Sequence, residues 1–151
     1  MKAIFLMITF IVTCVYTNKP EGKLISNENN KSIIANMLEG DVTVLNYNMS
    51  GCFSLSAEKI IFIKKNAIIT AEVYLDNKLV QSKVLTKKDI NYLVDFEKKI
   101  RLITNKGRIC TTSETYSILL NNKPEFSVVD SSCSWNGYSL LKKEVFNISI
   151  N

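Results

Sequence analysis

Alternating apolar and polar residues, or short β-branched runs, mark six segments of this chain, and both patterns are typical of β-strands. These segments lie at residues 42–47, 59–63, 67–75, 78–85, 111–120 and 125–129. Asp76-Asn77 and Asn121-Asn122 separate two pairs of segments, and Asp and Asn tolerate the positive φ of two-residue hairpin turns. We therefore predict a β-meander over residues 59–85 and a C-terminal hairpin over residues 111–129.

Three further segments have weaker patterns. Residues 32–38 are apolar but fit either a strand or a short helix. Residues 48–52 contain Asn, Ser and Gly and are predicted to end the first strand. Residues 64–66 are predicted to form the polar turn before the next strand.

A helix is the clearest element after residue 85. Thr86 and Asp89 have the spacing of a capping box, in which each side chain binds the backbone N–H of the other residue. Apolar residues then recur at spacings of three and four along one helical face: Ile90, Leu93, Phe96, Ile100 and Ile103. The helix is predicted to end at residues 105–107. Acid-before-base pairs four residues apart are predicted to support it: Asp95 with Lys99, and Glu97 with Arg101.

A second helix is predicted to begin at residues 136–137, where Tyr138, Leu141 and Val145 start an apolar face. The order of elements is therefore strands, helix, hairpin and helix. It predicts an α+β fold, with an antiparallel sheet of about five to seven strands packed by two helices.

The start of the chain has the order of a secretory signal. Lys2 precedes an uncharged apolar run over residues 3–14, which is short for a membrane span of about 20 residues. Ile11-Val12-Thr13-Cys14 resembles the lipobox of bacterial lipoproteins, although Thr13 departs from the small residue usual there. Residues 1–14 are thus interpreted as a signal peptide, or as a lipoprotein signal ending at a lipidated Cys14. Residues 15–31 are polar and are predicted to be a flexible tether.

The remaining residues, 32–151, have the length of one domain. The formal net charge is +5, and the lysines are spread in pairs without a run of five like charges. This distribution is that of a solvated surface, so nucleic acid is not an expected partner.

Three cysteines follow the signal, so a single internal disulfide would leave one thiol free. If Asn121-Asn122 is the hairpin turn, the antiparallel register carries Cys110 and Cys133 to approximately opposite positions. We predict that these two residues form the disulfide and that Cys52 is unpaired. The alternative is a bridge between Cys52 and either of them.

The residue types needed for several kinds of catalysis are missing. The chain has no histidine, and its five glycines are scattered. It also lacks a Cys-x-x-Cys pair. We therefore assign no catalytic, cofactor-binding or metal-binding residue. The alternative is a small secreted enzyme that uses the Cys52 thiol or carboxylates, for which the candidates are Glu58, Glu72, Asp76, Glu114 and Asp130.

Trp135, the single tryptophan, lies close to Tyr138, and an exposed aromatic pair there would form a partner surface. The competing interpretation is that Trp135 packs over the disulfide in the core. The hydroxyl-rich residues 110–116 suit a polar ligand or the exposed side of a strand. Asn-x-Ser sequons would carry glycans if the chain were a eukaryotic secreted glycoprotein; they begin at Asn30, Asn48 and Asn147.

Residues 50–53, residues 110–112 with Tyr116, and residues 130–137 followed by 140–143 resemble segments of small uncharacterised exported or lipoprotein domains of the bacterial envelope. This resemblance implies an exported location and a compact domain. Together with the missing catalytic residues, it predicts a non-enzymatic module that binds a protein or another envelope ligand, without a cofactor. The membrane would be reached only through the N-terminal lipid.

Overall fold

The computed structural model describes residues 31–52, 55–104 and 110–148. The predicted signal, Cys14 and nearly all of the predicted tether lie outside these residues. So does the predicted helix end at residues 105–107.

The described residues form six strands and two helices. The strands are β1 (Val42–Gly51), β2 (Leu55–Lys65), β3 (Ile68–Leu75), β4 (Lys78–Val84), β5 (Thr112–Leu120) and β6 (Lys123–Asp130). The helices are α1 (Lys87–Arg101), between β4 and β5, and α2 (Gly137–Phe146), after β6. All neighbouring strands are antiparallel, in the order β4-β3-β2-β1-β5-β6. The predicted α+β class, with five to seven strands and two helices, is confirmed.

The first strand is longer than the sequence pattern predicts. β1 continues through residues 48–51, because it pairs with β2 on one side and with β5 on the other. A Cβ added to Gly51 would lie 2.7 Å from Oγ1 of Thr112, its partner on β5. A glycine at this position therefore lets β1 and β5 approach each other closely. Pairing on both sides therefore outweighs the low strand propensity of these residues.

Three tight turns join the strands of the meander, β2 to β4, and of the C-terminal hairpin, β5 and β6. Asp76-Asn77 and Asn121-Asn122 have positive φ, as predicted. The third turn lies at Asn66-Ala67, later than predicted, and Ala67 has a φ of 60°. A left-handed alanine is unfavourable by about 1–2 kcal/mol. The Glu39 carboxylate supports the turn, because it accepts hydrogen bonds from the backbone N–H groups of Asn66 (2.6 Å) and Ala67 (3.2 Å).

The predicted capping box opens α1. Thr86 Oγ1 accepts from the Asp89 N–H at 3.2 Å, and the Asp89 carboxylate accepts from the Thr86 N–H at 2.8 Å. Lys83 Nζ also donates to Asp89 (3.0 Å) and to the Val145 carbonyl (2.5 Å), which links β4 to both helices. Burial acts to raise the pKa of Asp89, but the bonds from Thr86 and Lys83 outweigh it and lower that pKa.

Glu97 does not form the predicted exposed pair with Arg101. Its side chain is buried against the segment before β1, where the carboxylate accepts from Ser32 Oγ (2.8 Å), Ile33 N (2.7 Å) and Ile34 N (3.0 Å). These bonds hold residues 32–36 as a single turn, which resolves the ambiguous segment. We call this arrangement the Glu97 clasp.

The turn held by the Glu97 clasp places Ile34 and Met37 in the core. The other predicted acid-base pair also differs, since Asp95 lies 3.8 Å from Lys98 rather than pairing with Lys99. The helix ends earlier than predicted, with Leu102 as its C-terminal cap.

The core lies between the helices and one face of the sheet. Side chains from α1 and α2 contact strand residues of this face, for example Phe96 with Tyr116 and Tyr138 with Tyr47. Alternate residues of each strand project from the opposite face, which no helix covers within the described residues. The hydroxyl-rich strand β5 contributes Ser117 there, and its hydroxyl accepts from Asn46 Nδ2 at 3.2 Å.

Candidate binding groove at the end of helix α1

A disulfide joins Cys110 and Cys133, whose Cα atoms lie 5.9 Å apart. This is the pair that the hairpin register predicts. A β-bulge between Ile118 and Leu119 shifts the register by one residue below the turn, so the opposition is approximate. Cys133 has a φ of 50°, and Cys52 is a free, exposed cysteine.

Hydrogen bonds fix the residues on either side of Cys133, ahead of α2. The Asp130 carboxylate accepts from the Ser132 N–H at 2.8 Å, and Ser132 Oγ accepts from the Ser134 N–H at 3.2 Å. The Cys110 N–H donates to the Ser131 carbonyl at 3.2 Å. The segment that leads to Trp135 is therefore held by the disulfide and by hydrogen bonds that its backbone makes with the Asp130 and Ser132 side chains and with the Cys110 N–H.

Trp135 is half-buried and packs against the core. Its ring stacks on Phe96 with centroids 5.5 Å apart and meets the edge of Tyr116 at 5.2 Å. A Cβ added to Gly137 would overlap the Trp135 ring, so a glycine is required beneath it. The structure places Trp135 on this aromatic cluster, with the rest of its surface beside an open groove.

The groove has a volume of about 830 Å³ and lies between the last turn of α1 and the segment that carries Trp135. Its lining is mixed, with apolar side chains, hydroxyl and amide groups, one lysine and one aspartate. The lining residues are Lys99, Leu102, Ile103, Thr104, Asp130, Ser132, Ser134, Trp135, Asn136 and Leu140. Tyr138 is only 2% exposed, so it cannot join Trp135 in a partner surface as the sequence suggested.

A second groove of about 520 Å³ lies on the other side of Leu102. Leu102 is 77% exposed and lines both grooves. The second groove is lined by Lys31, Ser32, Glu97, Lys98, Arg101 and Leu102. We call the two grooves and the residues that line them the α1-end surface.

The basic and acidic residues of the α1-end surface differ in exposure. Its basic residues are Lys31, Lys98, Lys99 and Arg101. Its two acids, Glu97 and Asp130, are buried and engaged in the hydrogen bonds described above. The Arg101 guanidinium lies 4.7 Å from the centroid of the Phe126 ring, which holds it over the sheet. The surface therefore presents positive charge around an apolar centre.

A buried polar cluster lies below α2, and the sequence pattern did not reveal it. Lys142 Nζ donates to both oxygens of Glu58 at 2.9 Å, and only 11% of each side chain is exposed. The two residues are 84 positions apart, so only the fold brings them together. Glu58, a candidate carboxylate for catalysis, is therefore engaged in a buried ion pair.

Three tyrosines complete this cluster: Tyr47, Tyr116 and Tyr138. Tyr116 donates its hydroxyl proton to Glu114, the second carboxylate of the cluster. Burial raises the pKa of all three phenols well above the ordinary value. Glu114 further raises the pKa of Tyr47 and Tyr116, and Glu58 further raises that of Tyr47 and Tyr138. These phenols therefore stay protonated, and the cluster joins α2 to the sheet.

No set of three metal-ligating side chains meets within the described residues. In the same ranges, no helix has the length and apolar composition to span a bilayer.

The fold and the groove define a class: an α+β domain with a disulfide-held loop and a cationic, partly apolar groove beside it. No protein-family model matches the chain, and comparisons with curated proteins and with solved structures found no significant match.

Proposed function

We propose that this chain is a non-enzymatic, exported protein of the cell envelope that binds a protein or another envelope ligand through its α1-end surface. The observation that carries the proposal is the groove beside Trp135. Tryptophan is enriched among the hot-spot residues of protein interfaces. Trp135 lines this groove together with the exposed side chains of Leu102 and Leu140.

The positions of three of the five candidate carboxylates support binding rather than catalysis. A pair of carboxylates that hydrolyses a glycosidic bond must face a shared cleft. Here Glu58 is paired with Lys142, Glu114 accepts from Tyr116, and Asp130 caps its own loop. These three acids therefore have structural partners.

The disulfide fits export, because disulfides persist in oxidising compartments. Anchoring through a lipidated Cys14, as in the bacterial lipoproteins that the first residues resemble, is the finer part of the proposal. Intact mass and N-terminal analysis of the protein from host membranes tests it. A diacylglyceryl-modified Cys14 at the mature N-terminus is expected, whereas an unmodified start after residue 14 would remove the anchor.

Site-specific photo-crosslinking tests the binding function. A photoreactive amino acid replaces Leu102 in the full chain, and the matched control replaces Ser82, which is exposed on β4. After irradiation of host envelopes, we expect a discrete adduct from position 102 that is absent from position 82. An adduct pattern that is the same at both positions, or no adduct at position 102, would contradict the proposal.

A further inference from the structure

We propose that the α1-end surface binds a segment of a partner protein in which acidic residues flank an apolar side chain. This inference rests on the proposed function and names the chemistry of the partner. The apolar side chain enters the groove beside Trp135, and the acidic residues face the basic residues around Leu102.

The shape of the surface favours an extended polypeptide. The two grooves, of about 830 and 520 Å³, lie on either side of Leu102 and share it as a wall. Each volume lies within the range of about 300–1,000 Å³ found for ligand pockets. A chain that crosses Leu102 contacts both grooves, whereas a planar bilayer would meet mainly the projecting leucine.

The apolar anchor is supplied by three side chains of the larger groove. Trp135 is fixed by its ring contacts with Phe96 and Tyr116 and loses little conformational entropy on binding. Leu102 and Leu140 are 77% and 41% exposed, so a ligand would remove apolar surface from water.

Charge complementarity specifies the acidic flanks. Of the four basic residues at this surface, only Lys98 enters an ion pair within the described residues, with Asp95 at 3.8 Å. Glu97 and Asp130 are buried in internal hydrogen bonds, whereas Lys31 and Lys99 are exposed. A segment with carboxylates on both sides of its apolar residue would meet Lys99 at the larger groove and the basic residues of the second groove on the other side of Leu102.

Hydroxyl and amide groups suit the main chain of such a segment. Ser132, Ser134 and Asn136 line the larger groove, and the two serine hydroxyls lie 2.8 Å apart. They can donate to peptide carbonyls and accept from peptide N–H groups.

Selection from a displayed library of random twelve-residue peptides on the full chain tests the inference. We expect the enriched peptides to contain a central Leu, Ile, Phe or Met with Asp or Glu on both sides. Lys99→Glu should weaken their binding by about tenfold and reduce its dependence on salt. The matched control is Lys143→Glu, an equal charge change at an exposed position of α2, and it should change affinity by less than about twofold.

Enrichment of peptides without acids, or equal effects of the two substitutions, would overturn the inference. Failure to enrich any peptide would overturn it too. The crosslink at position 102 is an independent result, so the binding function can survive when the acidic segment does not. Trp135 emission is also recorded with phosphatidylglycerol vesicles. A spectral shift there, without peptide binding, would assign the surface to a membrane and refute the acidic segment.

Discussion

The Glu97 clasp is expected to contribute strongly to stability. Glu97→Gln preserves the shape of the side chain but replaces one acceptor oxygen with an NH₂ group. One carboxylate oxygen accepts from Ile33 N–H, and the other accepts from both Ser32 Oγ and Ile34 N–H. Whichever oxygen is replaced, the NH₂ group of Gln would therefore face at least one hydrogen-bond donor. A hydrogen bond to a charged group contributes about 1.5–3 kcal/mol, so we expect the free energy of unfolding to fall by about 3 kcal/mol. For a domain of this length, Tm should fall by about 10 °C.

Urea unfolding followed by the emission of Trp135, the single tryptophan, measures this change. The matched control is Asp95→Asn on the same helix, because Asp95 is exposed and its one ion pair within the described residues is the 3.8 Å contact with Lys98. Exposed ion pairs contribute at most about 1 kcal/mol, so this variant should be nearly neutral. Hydrogen exchange should also accelerate at the amides of residues 33 and 34 in Glu97→Gln. Equal unfolding free energies for the two variants would refute the assigned role of the clasp.

Three further predictions concern pH, the disulfide and a turn. Because the folded pKa of Asp89 is lowered below its ordinary value of 3.8, its contribution to stability is present above that value and is lost as pH falls through the folded pKa. Asp89→Asn should therefore flatten the stability profile between about pH 5 and pH 2, and an unchanged slope would contradict this. Replacing both Cys110 and Cys133 with Ser should lower the unfolding free energy by about 3 kcal/mol, since the bridge closes a loop with a sequence separation of 23. An unchanged urea midpoint would contradict a stabilising role of the disulfide. Ala67→Gly should stabilise the protein by about 1 kcal/mol, because glycine adopts the positive φ of this turn without strain. The control Ala57→Gly in β2 should destabilise the protein by a similar amount. A lower Tm in both variants would count against a strained turn.

Local signals predicted the parts of the fold that depend on neighbours in sequence. Thr86 and Asp89 are three positions apart, so their mutual capping is visible in the sequence. The Asn121-Asn122 turn depends only on the φ preference of its own residues, and it set the register that brings the disulfide cysteines together.

Long-range contacts account for the predictions that were wrong. Glu97 has a favourable basic residue four positions later, but its actual donors lie more than 60 positions earlier in the chain. β1 extends through Gly51 because two other strands pair with it. Neither effect can be found from periodicity or propensity.

The candidate site was predicted in part. Trp135 could be singled out because it is the single tryptophan and follows Cys133 closely. Leu102 could not be singled out, because it lies outside the apolar face predicted for this helix. Only the fold shows that this exposed leucine lines both grooves.

The position of β1 has a mechanical consequence. This first strand lies inside the sheet, bonded to β2 and β5, while the turn before it is fastened to α1 by the Glu97 clasp. A pulling force applied ahead of residue 31 reaches the clasp before it reaches the strand. The three bonds to Glu97 therefore bear the load first, and they shield the central strand from being drawn out of the sheet.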